Sequence, residues 1–109
     1  MAYDEGVAAR LRDMLVDRHG VAEKKMFGGL AFMFRGHMLM GIVGESLMAR
    51  VGPAAYDVAL TRPFVRKMDF TGRPMNGFVY VDPAGFESDA DCAAWLALCL
   101  DFNASLPAK

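Results

Sequence analysis

Residues 26–51 are almost wholly apolar, punctuated by Gly28-Gly29, Arg35-Gly36, Gly41 and Gly44-Glu45. Short apolar runs bounded by turn residues read as buried strands. The pattern predicts three antiparallel strands, at about 26–34, 38–43 and 46–51. Tight turns at Arg35-Gly36-His37 and Gly44-Glu45 join them as hairpins. Alternation puts Leu30, Phe32 and Phe34 on one face of the first strand, with Ala31, Met33 and Arg35 on the other. In the second strand Met38, Met40 and Ile42 oppose Leu39, Gly41 and Val43. Neither face is polar, whereas a sheet with one wet face alternates cleanly. Both faces are therefore expected to be covered.

Helical periodicity frames this sheet. Val7, Ala8, Leu11, Met14 and Leu15 recur at helical spacing within residues 4–19, with Asp4 as N-cap and Gly20 just past the end. Residues 21–25 lead into the sheet. Gly52-Pro53 opens a short second helix, Pro53–Leu60, because proline suits a first helical turn. Residues 64–70 read as a part-strand, Thr71-Gly72-Arg73-Pro74 as a turn, and residues 75–81 as the last strand. Ser88 and Asp91 resemble a capping box before a helix whose stripe is Cys92, Trp95, Leu96, Cys99 and Leu100. Residues 103–109 are expected to fray. The outcome is an α+β fold: a two-layer antiparallel sheet of about five strands with three helices, in the order α-β-β-β-α-β-β-α.

The length of 109 residues implies one domain, 1–109. A net charge of −1 creates no field toward DNA or acidic membranes. No apolar run approaches the ~20 residues of a membrane span, and the start shows no signal peptide, so a cytoplasmic setting is expected. Cys92 and Cys99 share a helix face about 10 Å apart at ~1.5 Å per residue, too far to bond. They read as small buried residues. The nine methionines read first as core filling.

Candidate chemistry is sparse. Gly28-Gly29 lacks phosphate-loop spacing and precedes a strand, so a bulge or close backbone approach explains it better. His19, His37, Cys92 and Cys99 match no zinc pattern, and no metal or cofactor is expected. No nucleophile–base pair is supported, so no enzymatic activity is expected. Arg62, Arg66, Lys67 and Arg73 interleave with Phe64 and Phe70, as in some single-strand binders. The acidic balance disfavours nucleic acid, and both phenylalanines read as core. Arg50 ends an apolar strand. It is expected either to keep its head in water or to meet a carboxylate, with an anion site shared with Arg73 as the functional alternative.

Read together, KKMFGGLAFMFRGHMLMGI, LMARVG, TGRPM and FVYV resemble the N-terminal domain of the TfoX/Sxy family, over nearly the whole chain. The most specific part is Lys25, Met26, Phe27, Gly28 and Gly29, followed by the Gly36 hairpin. Arg50 stands where many relatives have Lys. The resemblance implies helices against an antiparallel sheet, similar to secretion chaperones, and a link to bacterial competence regulation. Longer members carry a second, helical domain. A regulatory or adaptor domain acting on an unidentified protein partner follows. The alternative is a small-ligand or nucleic-acid-binding domain using residues 62–73, with Arg50, Arg66, Lys67 and Arg73 as candidate anion or partner contacts. The five motif residues are expected to be mainly structural. An apolar second sheet face, made of Ala31, Met33, Leu39, Val43 and Met48, suggests a homodimer.

Overall fold

A computed structural model describes residues 3–26, 28–70 and 73–107, without the side chains of 69, 70 and 73–75. Local signals set the helices. Asp4 caps α1 (Glu5–Leu15), its carboxylate accepting from the Gly6 and Val7 amides at 2.8 and 3.1 Å. Gly52 and Pro53 start α2 (Pro53–Leu60). Ser88 caps α3 (Asp89–Ser105), its hydroxyl accepting from the Asp91 amide at 3.0 Å.

The sheet has six antiparallel strands among the described residues: β1 (Val21–Met26), β2 (Gly29–Phe34), β3 (His37–Val43), β4 (Ser46–Arg50), β5 (Val65–Phe70) and β6 (Arg73–Val81). Their spatial order is β1-β2-β3-β4-β6-β5. The α+β class matches the sequence reading, and the element order does so apart from one additional strand before α2. The additional strand is β1, which pairs with β2 from Val21↔Phe34 to Met26↔Gly29. Its middle residues, Ala22 to Lys25, are exposed, so no apolar period announced it. The first helix is also shorter than expected, ending at Leu15.

One sheet face carries the helices. Leu11 and Leu15 of α1, Ala59 of α2, and Cys92, Trp95 and Cys99 of α3 pack on Leu30, Phe32, Ile42, Leu47, Val79 and Val81. Leu39 belongs here too, contrary to its expected place on the other face. The register shifts from Phe32↔Met40 to Met33↔Met38, so Leu39 is the extra residue of a β-bulge. A bulge sets two successive residues against one partner and breaks the alternation. Met38 consequently moves to the second face.

That second face is buried by the chain itself. Ala31, Met38, Met48 and Met68 form a separate cluster, edged by Met26, Met33, Val43, Phe78 and Tyr80. Ala31, Met48 and Met68 are 0 % exposed, and every residue of the cluster is on a strand. Small residues make this cover workable. A Cβ on Gly41 would lie 2.7 Å from Met48 Cε, so Met48 extends across the space that Gly41 leaves empty. Long, unbranched methionines suit such flat, irregular filling. The large open apolar face invoked for a homodimer is thus largely closed within one chain.

As far as Pro107 the tail is anchored rather than frayed, and residues 108–109 lie outside the described residues. Asn103 is buried, and its amide donates to the Phe34 carbonyl at 3.0 Å. Arg35 donates to the Asn103 carbonyl, and a His37 ring nitrogen lies 2.7 Å from the Pro107 carbonyl.

Candidate interaction surface

The motif residues lie at one edge of the sheet. Lys25 and Met26 end β1, the Met26↔Gly29 pair closes the hairpin, and Phe27 lies outside the described residues. Gly28 has φ +74°, a conformation strained for residues with a Cβ. Gly29 has a different constraint. A Cβ there would lie 2.0 Å from the Ile42 carbonyl oxygen.

The basic candidates have separate surroundings. Arg50 pairs with Phe78 across β4–β6, and its guanidinium lies 5.2 Å from the Phe78 ring and 5.3 Å from that of Phe102. It donates to the Met38 carbonyl at 3.5 Å, and burial lowers its pKa. The expected carboxylate is missing: the half-buried side chain has its head beside two rings, with no carboxylate in ion-pair reach among the described residues. Arg66 is bound to Asp82, with Nη2–Oδ1 at 2.8 Å, and Ser46 donates to the same carboxylate at 3.1 Å. Lys67 is exposed on β5 opposite Val79. Arg73 starts β6, and its side chain lies outside the described residues.

The hydrogen bonds from Arg66 hold the Asp82 carboxyl below its ordinary pKa. A depressed carboxylate stabilises the fold above its unfolded value, near pH ~4, and that contribution disappears as pH falls through the native value. Asp82→Asn is expected to cost up to about 1 kcal/mol at pH 7, as for a largely exposed pair. The gap from wild type should close below about pH 4 in urea melts. A gap of the same size at pH 3 would refute the assignment.

Another surface stands out between α2 and α3. Arg62 follows α2 and lays its guanidinium 4.7 Å from the Trp95 ring centre. Trp95 is buried and donates from Nε1 to the Gly85 carbonyl at 3.3 Å. Phe64, expected in the core, is instead 54 % exposed. Its φ is +66°, an unusual conformation for a bulky side chain. The Asp82 amide holds its carbonyl at 2.8 Å, and the Pro83–Gly85 turn packs beside it. Arg62, Pro63, Phe64, Ala84, Gly85, Asp91 and Trp95 line a cleft of about 150 Å³. Periodicity could not reveal this surface, because Phe64 lies in an irregular connection.

A family model described as the TfoX N-terminal domain matches residues 13–103. The chain belongs to this family. The match runs from within α1 almost to the end of α3, so the TfoX N-terminal domain here comprises the sheet, both faces of its core and the Phe64 surface. No curated protein and no solved structure matched the chain.

Of the sequence candidates His19, His37, Cys92 and Cys99, the two cysteines are embedded in this domain's core. Burial raises the pKa of Cys92 and pushes that of Cys99 up to about 12, which disfavours the nucleophilic thiolate of each. Among the described residues, no group of three or more His, Cys, Asp or Glu could hold a metal ion. No helix among them is long and apolar enough to cross a membrane.

Proposed function

We propose that the chain is a non-enzymatic regulatory or adaptor domain that acts by binding another protein, with Phe64 as an anchor of the contact. The observation that carries this reading is Phe64 itself, a large apolar side chain presented to solvent on a strained backbone. Such strain costs about 1–3 kcal/mol and tends to occur at functional positions. Aromatic and arginine side chains also dominate the energetics of protein interfaces. Arg62, stacked on buried Trp95, supplies the second of these beside the cleft. Family membership supports a regulatory role linked to competence, in the bacterial cytoplasm.

Phe64→Gly separates function from stability. Glycine accepts a positive φ, so the variant is expected to melt at or above the wild-type temperature. It should lose at least about tenfold in affinity for the protein captured by the wild type, equivalent to ~1.4 kcal/mol. Affinity measurement on the purified pair reads the effect. Unchanged affinity would remove Phe64 from the interface.

The alternative is a nucleic acid or small anion on the basic 62–73 segment. Exposed Lys67 and the Arg62 cation favour it, while engagement of Arg66 by Asp82 weakens it. A gel shift abolished by Lys67→Gln and indifferent to Phe64→Gly would select this reading.

A further inference from the structure

A second cleft lies where the end of α1, the β2–β3 turn and the C-terminus of α3 meet. It has a volume of about 460 Å³ and is lined by Arg18, Phe34, Arg35, Leu100, Asp101, Asn103 and Ala104. Small-molecule sites typically span ~300–1,000 Å³. Two cations are in the lining. The Arg18 guanidinium lies 5.8 Å from the Phe34 ring centre, and Arg35 gives one donor nitrogen to the Asn103 carbonyl. Neither has a carboxylate in ion-pair reach among the described residues, unlike Arg10, Arg12 and Arg66. Arg35 also occupies φ +57° at the first position of a two-residue turn, where Asn, Asp or Gly is preferred.

The lining also has electronegative groups. It carries Asp101 and the last carbonyls of α3, where the helix dipole places partial negative charge. Asn103, in the same lining, has an Oδ1 buried without a hydrogen-bond partner, and no other described side-chain atom is in that state. Leaving such a group unsatisfied costs about 1–3 kcal/mol.

We infer that this cleft binds a small zwitterion, its oxyanion held by Arg18 and Arg35 and its amine facing Asp101 and the end of α3. Guanidinium forks match carboxylate and phosphate oxygens. An anion alone would meet Asp101, and an amine alone would meet the two arginines. A molecule with both charges suits both kinds of group. The site is distinct from the Phe64 surface.

The test is NMR titration of the full chain, following the Arg18 and Arg35 Nε–H signals and the Asn103 side-chain amide. The probes are L-alanine and phosphoethanolamine, against propionate, inorganic phosphate and propylamine. At least one zwitterion is expected to give saturating shifts with about tenfold tighter binding than any singly functional probe. L-alanine reports a carboxylate ligand, and phosphoethanolamine a phosphate ligand. Arg18→Gln should weaken that binding about tenfold at unchanged melting temperature, while Arg62→Gln, the same charge change elsewhere, leaves it intact. No saturation by either zwitterion overturns the inference. So does equal binding of a singly functional probe, retained affinity in Arg18→Gln, or an equal loss in Arg62→Gln.

Discussion

Gly29→Val is expected to unfold the protein or to lower its stability by more than about 3 kcal/mol, beyond the usual cost of an overpacked site. A Cβ at this position would sit 2.0 Å from the Ile42 carbonyl oxygen and 2.9 Å from both the Ile42 carbonyl carbon and Val43 Cγ2. Two of these three atoms are backbone, so no rotamer change relieves the clash. β2 would have to move away from β3, breaking the Leu30↔Ile42 pairing in the helix-side core. Gly28→Ala is the control. Nothing lies within 4 Å of its added methyl, so only the strain of φ +74° remains, about 1–2 kcal/mol. Urea denaturation of both variants measures the contrast. A Gly29→Val protein with native stability that lost only partner binding would make the motif a recognition site instead.

Met68→Ala is expected to cost about 2–5 kcal/mol, the range for deleting a buried large side chain. For a domain of this size that lowers the melting temperature by roughly 10 °C or more. Met68 is 0 % exposed in the helix-free cluster, among other methionines and strand residues. Its neighbours in the cluster are strand residues, held in place by the sheet. The loss should be independent of protein concentration, because the burial occurs within one chain. A homodimer that sealed this face would instead make the melting temperature rise with concentration. That outcome would return the second face to an intersubunit role.

Much of the fold was legible because its signals are local. Asp4, Ser88 and Gly52-Pro53 mark helix starts through caps and proline geometry, which need only a few neighbouring residues. Arg35-Gly36 and Gly44 mark hairpins through turns with positive φ. The candidate site was less legible. Arg66 was readable as basic, but its use in holding Asp82 follows from Arg66↔Tyr80 pairing, which brings the ends of β5 and β6 together. Arg50 was readable as a strand-end cation. Its cage requires Phe78 from β6 and Phe102 from α3.

The sequence by itself determined the α+β class, three helices, five of the six described strands and two apolar sheet faces, because capping, turn geometry and period are short-range properties. Tertiary structure alone decided four further features. β1 is a strand because β2 offers it a pairing edge, although its exposed residues show no apolar period. Leu39 faces the helices because the β2–β3 register accommodates an extra residue. The methionine face is covered by residues from β2, β3, β4 and β5, which contact one another only after the sheet has formed. Phe64 is turned outward because its backbone is fastened to Asp82 and packed beside Gly85, both distant in sequence. Each depends on long-range pairing or packing, and such contacts can override local preference when their combined free energy exceeds it.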